Sequence, residues 1–252
     1  MGKKGKSICL FSSKGGTGKS SIATLLSGFF AMQNKKVLII DFDLSFGSIG
    51  LLLNKESNKN IYDLYSDYSN NKFNDISDYV TKYNDNISFL ASPNDPRKGA
   101  KINDGYIKFI LEKCIYTYDY IIIDTNSDCS LTTIDLLDNV DSILFVMNND
   151  LVNIKNMRSM INIFELAGKK NYKVLLNEST NLYKNYYSLY DIKKIIGTII
   201  NYHLSNKFFI KDYDSYVFDG SIITLDKKFS KNYPKAYKTF LSIYNDMEEN
   251  NE

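Results

Sequence analysis

Residues 11–21 read FSSKGGTGKSS, three glycines and two lysines between an apolar run and a stretch of helical periodicity. The pattern K-G-G-x-G-K-[S/T] is met at every specified position, by Lys14, Gly15, Gly16, Gly18, Lys19 and Ser20. Ser13 stands where the stricter phosphate-loop pattern has its first glycine. Glycines let backbone N–H groups turn inward and approach phosphate oxygens closely. A helix starting near Gly18 would aim its positive end at the same anion. Lys19 then reaches the β- and γ-phosphates of a nucleotide, and the Ser20 hydroxyl is a ligand for Mg²⁺. Thr17 and Ser21 complete the expected nucleotide-binding stretch. One lysine is enough for this chemistry, so Lys14 is a surplus cation that needs its own explanation.

Carboxylates follow at two further points. In VLIIDFDLSFG, Asp41 and Asp43 stand at i and i+2, on one side of a strand near its carboxyl end. Asp124 closes the apolar run YIIIDT. Carboxylates at strand ends beside a phosphate loop suit coordination of Mg²⁺, directly or through water, and orientation of an attacking water.

These residues need a scaffold, and the hydrophobic pattern supplies one. Segments 7–13, 36–43, 86–92, 118–125, 141–148 and 172–177 are apolar nearly throughout, as in strands buried on both faces of a parallel sheet. Ile22, Leu25, Leu26, Phe29 and Phe30 share one face of a helix after the loop. Ile154, Met157, Ile161 and Phe164 do the same in 151–167, with Gly168 as a stop. In 54–85, helical spacing of Ile61, Leu64, Tyr65 and Tyr68, then of Phe73, Ile76, Tyr79, Val80 and Tyr83, predicts two amphipathic helices. The alternation predicts a three-layer α/β fold: a doubly wound, mainly parallel sheet flanked by helices, with ligands at the carboxyl ends of the strands. Without a linker or an internal repeat, residues 1–252 are expected to form a single domain.

The loop with its leading lysine resembles that of the ParA/MinD group of phosphate-loop ATPases. DFDLSFGSIGLLLN, FLASPNDP, YDYIIIDT and DSILFVMNNDLVNIKNMRSM are most similar to the TadZ/CpaE subgroup, ATPases of Tad-type pilus assembly. The similarity spans roughly residues 7–178 and weakens beyond. It implies an ATP-dependent homodimer in which Lys14 reaches the partner's phosphates, while Lys19 serves its own. It also implies that Asp43 positions the attacking water, that Asp41 and Asp124 support the metal, and that Asn177 recognises adenine. The loop around Lys211, Asp212 and Tyr213 would close over the base.

This chain departs from the family pattern in places. The D-x-P-x-G motif becomes DTNSD from Asp124, losing a glycine whose N–H senses the γ-phosphate in the family. Hydrolysis or switching is therefore expected to be weakened. Glu178 replaces a usual basic residue after Asn177. The loop begins too early for a receiver-like domain before it, so a stand-alone ATPase domain is expected.

The rest of the composition mostly excludes. A net charge of +2 announces neither a nucleic acid nor a membrane. Cys9, Cys114 and Cys129 match no metal or redox spacing. His203, the only histidine, has no Cys or acid at ligand spacing and reads as structural or exposed. No apolar run approaches the length of a membrane span, and no signal peptide or myristoylation pattern is present. A cytoplasmic protein is expected, drawn to the inner face of the membrane or a cell pole only through partners. The terminal stripe Tyr237, Phe240, Leu241, Tyr244 and Met247 ends in Glu248, Glu249 and Glu252, which favours core packing over lipid contact. Lys227, Lys228, Lys231, Lys235 and Lys238 fit a solvated face better than a DNA-contacting patch. The resemblance thus points to protein partners in a pilus or secretion machine. A DNA-partition ATPase and an ATP-binding scaffold with little hydrolysis remain the alternatives.

Overall fold

The six apolar runs become strands buried along most of their length, and two short edge strands, at Thr81–Lys82 and Tyr202–Leu204, join them. They are β1 (Lys6–Phe11), β2 (Val37–Phe42), β3 (Thr81–Lys82), β4 (Ile87–Leu90), β5 (Tyr120–Thr125), β6 (Ser142–Met147), β7 (Tyr172–Asn177) and β8 (Tyr202–Leu204). The helices are α1 (Lys19–Met32), α2 (Ile49–Leu52), α3 (Ile61–Ser69), α4 (Pro96–Gly99), α5 (Tyr106–Cys114) and α6 (Leu131–Asn139). After them come α7 (Leu151–Leu166), α8 (Leu189–Ile196), α9 (Tyr213–Phe218), α10 (Phe229–Asn232) and α11 (Pro234–Glu249). The computed structural model describes residues 3–103, 105–180, 187–210 and 213–249.

The strands form one sheet in the order β3-β4-β2-β5-β1-β6-β7-β8, parallel except for β3. Both faces are covered. Cys9, Phe11, Ile40, Ile121, Ile123 and Phe145 pack under α5 and α7 on one side. Ile8, Leu10, Ile39, Ile122 and Leu144 pack under α1 and α11 on the other. Alternation along each strand decides which residue faces which layer. The three-layer, mainly parallel architecture is the one the sequence pattern predicts.

α1 owes its place to its apolar face. Ile22, Leu26, Phe29 and Phe30 are fully buried, each contributing about 2 kcal/mol by removal from water. Phe30 lies against Tyr120 and Tyr244, with ring centroids 4.6 and 5.4 Å away, and Phe29 stacks on Phe240 of α11. The terminal helix is thus part of the core. Glu248 near its end pairs with Lys35 at 3.0 Å and accepts a hydrogen bond from the Tyr120 hydroxyl.

The segment 54–85 departs from expectation. Its first helix exists as α3, closed by a capping box between Asn60 and Asp63. The second does not: Ile76–Tyr79 is a single 3-10 turn, followed by β3 pairing antiparallel with β4. The stripe still reaches the core through Ile76 and Tyr79, so burial was read correctly and the period was not. A short 3-10 turn places i and i+3 on one side, which a helical period imitates.

Candidate phosphate-binding site

The parallel sheet sets β2, β5 and β1 side by side, so the segments after them emerge at one edge. β1 runs into the loop 12–18 and then into α1. Gly16 and Gly18 have φ of 75° and 87°, left-handed conformations that side chains resist. Gly18 is the N-cap residue of α1, with no side-chain cap and no acidic residue in the first turn. By contrast, α3, α6, α7 and α8 are capped by the side chains of Asn60, Ser130, Asp150 and Ser188. The first turn of α1 therefore directs its unpaired N–H groups and positive dipole end at the space inside the loop.

Lys19 is only 8% exposed and donates to the Ser127 hydroxyl at 2.9 Å. Burial lowers its pKa, opposed by the charges of Asp124 and Asp43. Thr17 is buried and its hydroxyl has no hydrogen-bond partner. Ser20 and Ser21 are half-buried at the start of α1, and Gly15 lies exposed at the loop tip. Lys14 points elsewhere: its ammonium is 3.0 Å from Asp150 at the N-terminus of α7.

Asp41 and Asp124 are register neighbours across β2 and β5, and both are buried. Neither oxygen of Asp124 closes a hydrogen bond of normal geometry, although the Ser20 hydroxyl faces it. Burial pushes Asp124 up to about 6, against the pull of Ser20 and Lys19. Asp41 accepts from the Ile49 N–H at 2.9 Å through one oxygen and leaves the other unpartnered. Burial first, then the Asp124 charge, pushes its carboxyl up to about 8. Asp43 lies just past β2, half-buried, and accepts from the N–H groups of Ser45 and Phe46 at 3.2 and 3.0 Å.

Among the described residues, no three His, Cys, Asp or Glu side chains converge to hold a metal by themselves. The orphaned Asp124 oxygens beside the Ser20 hydroxyl are hard oxygen donors. They fit a cation such as Mg²⁺, which keeps several waters and takes the rest of its shell from phosphate.

Asn177 ends β7 and touches the loop directly, donating to the Thr17 carbonyl at 2.8 Å and accepting from Ser179. Beside it opens a cleft of about 250 Å³, lined by Gly18, Ile22, Leu25, Phe208 and Tyr213 among others. Its apolar walls suit a flat ring. Lys211 and Asp212, expected to close over the base, lie outside the described residues. His203, read from the sequence as without an acid partner, stands 2.8 Å from Glu178, which also accepts from Asn149 at 2.8 Å.

A family model described as an AAA domain matches residues 5–179. An ATP-binding protein of Methanocaldococcus jannaschii is 26% identical over 171 residues, covering 68% of this chain and 63% of its own length. This chain thus spans less than two thirds of that relative. The ParA family ATPase of Chlorobium tepidum superposes with a TM-score of 0.76 at 19% identity, over 95% of this chain and 99% of that one. The Pyrococcus horikoshii septum site-determining protein MinD, complexed with Mg-ADP, superposes with a TM-score of 0.75 at 17% identity, over 94% and 93%. The chain belongs to the AAA domain family, and its fold is that of the ParA and MinD structures.

Proposed function

We propose that this chain binds ATP with Mg²⁺ at Lys14–Ser21, hydrolyses it, and pairs with a second copy of itself while ATP is bound. The observation that carries this reading is the start of α1. It is the N-terminus of a long helix without a side-chain cap or an acidic residue in its first turn, and Lys19 is buried beside it. An anion completes such a site, and a nucleotide's phosphates supply the negative charge it lacks. The M. jannaschii relative is named as ATP-binding and the P. horikoshii MinD holds Mg-ADP, which supports the assignment.

In this reading the loop N–H groups and Lys19 hold the phosphates. Ser20 and Asp124 hold Mg²⁺, with Asp41 behind them. The bound cation would neutralise charge on the phosphate oxygens. Asn177 and the cleft beside it take the adenine, its amide able to donate and accept together. Asp43 orients the attacking water.

Pairing of two copies is supported by apolar side chains left in solvent around the loop. Phe46, Leu131 and Val152 are 81%, 73% and 58% exposed, on segments following β2, β5 and β6. Covering them would bring Lys14 of one copy towards the phosphates of the other. The pathway reading, positioning or assembly of a Tad-type pilus, rests on the similarity of DFDLSFGSIGLLLN and its companion segments to TadZ/CpaE.

Titration calorimetry with Mg-ATP tests the core of this reading. Wild type should bind with micromolar affinity and Lys19→Ala should show no binding. Unchanged affinity in Lys19→Ala would refute the assignment.

A further inference from the structure

We propose that the Ser127 hydroxyl, together with Lys19, binds the terminal phosphate of the nucleotide and so distinguishes a triphosphate from a diphosphate. This rests on the nucleotide reading above and adds a residue to it.

Lys19 carries three N–H donors in a nearly buried position, and Ser127 Oγ accepts one of them at 2.9 Å. Among the described residues this neutral hydroxyl is the one hydrogen-bond acceptor of Lys19, with the Asp124 and Asp43 charges acting from beyond it, so two of the ammonium's donors are open to an incoming anion. A phosphate oxygen accepting from Lys19 can lie within hydrogen-bond reach of Ser127 Oγ as well, since the two groups are themselves in contact. Oγ accepts in the present contact, which leaves its own hydrogen to donate to that oxygen.

The loop after β5 is built to present this one side chain. Thr125 donates to the Leu10 carbonyl at 2.7 Å, pinning the loop's start to β1 just before the phosphate loop. On the other side of Ser127, Asp128 is a charge that would repel phosphate. Its carboxylate is committed to its own loop and to the first turn of α6. It accepts from Asn126 Nδ2 at 2.8 Å, from Thr133 Oγ1 at 3.0 Å and from the Ser130 N–H at 3.2 Å. Held between these anchors, Ser127 meets Lys19 at the tip of its side chain. The α1 N-terminus lies at the other end of that side chain and, in the nucleotide reading, takes the inner phosphates. The phosphate within reach of Ser127 is therefore the outermost one, which ADP lacks.

The test compares a non-hydrolysable ATP analogue with ADP, both with Mg²⁺, by calorimetry on wild type, Ser127→Ala and Ser127→Thr. Loss of a hydrogen bond to a charged group should weaken the analogue by about tenfold or more in Ser127→Ala. ADP affinity should stay within about twofold, because no bond to its phosphates is removed. Ser127→Thr, which keeps the hydroxyl, should restore discrimination. A serine that merely satisfies Lys19 in the empty site would not separate the two nucleotides. Equal losses for both, or no loss for either, would overturn the proposal while leaving the nucleotide reading intact. A wild type that binds neither nucleotide would overturn both.

Discussion

Asp41 and Asp124 sit directly opposite each other on adjacent parallel strands, with both carboxyls on the face of the sheet that carries α1. Two buried carboxyls this close resist ionising together. Their pKa values are raised from 3.8 to about 8 and about 6, so across that range the folded chain holds protons that the unfolded chain has released. The sign follows from linkage: stability must fall as pH rises wherever the folded state binds more protons. Calorimetric melting without nucleotide or Mg²⁺ should show a falling Tm from pH 6 to 8, with Asp124 contributing at the lower end and Asp41 carrying the fall towards pH 8. Asp41→Asn keeps an acceptor for the Ile49 N–H and should flatten this fall. A parallel decline in the variant would remove Asp41 as its source.

Gly18 and Gly105 offer a matched pair. Both are N-cap glycines with left-handed φ and no side-chain cap. A Cβ on Gly105 meets nothing within 4 Å, whereas one on Gly18 lies 2.8 Å from Asn177 Nδ2. Either alanine should cost stability through backbone strain, about 1–2 kcal/mol. Only Gly18→Ala should abolish nucleotide binding, because it also pushes the loop off Asn177. Retained ATP affinity in Gly18→Ala would show that the loop tolerates another shape.

Lys14 is held within its own chain by Asp150 and must leave it to reach a partner. Lys14→Ala should bind ATP yet remain monomeric by light scattering. Asp150→Asn keeps a residue able to cap α7 but removes the charge, so the ATP-dependent dimer should form at lower protein concentration. An exposed ion pair is worth little, and the shift should be about two- to fivefold. The same dimer with ADP, or from Lys14→Ala, would overturn this role for the lysine.

Most of the sheet was legible because buried parallel strands leave continuous apolar runs that no solvated segment imitates. The edges were not. β3 has two residues and β8 three, too short to show a period, and β3 was masked by a helix-like spacing. The site was legible where chemistry demands a local pattern, as in KGGTGKS, and at Asp41 and Asp124, where apolar runs end in acids. The Lys19–Ser127 contact joins residues 108 apart, and the Lys14–Asp150 pair joins residues 136 apart. No spacing rule connects such positions; only the strand order β5-β1-β6 does. The signal available for Ser127 was the departure of DTNSD from its expected motif, a mark of something changed that did not say what.

Asp43 has one duty visible in its hydrogen bonds and a second that is proposed. Its carboxylate accepts from the Ser45 and Phe46 N–H groups and so shapes the turn after β2. By resemblance, the same group orients the water that attacks the γ-phosphate. Alanine removes both duties, whereas asparagine keeps an acceptor for the turn and loses the charge. In the proposed reading, nucleotide affinity comes mostly from the loop backbone and Lys19, while water positioning acts on the chemical step. Asp43→Asn should therefore bind Mg-ATP and dimerise like wild type, with phosphate release slowed by at least about 100-fold. Asp43→Ala should be slowed as much, with a lower Tm from the lost turn. If Asp43→Asn turns over normally while Asp43→Ala does not, Asp43 serves the turn alone and the water is positioned by another group. If both variants lose ATP binding, Asp43 belongs with Asp124 at the metal.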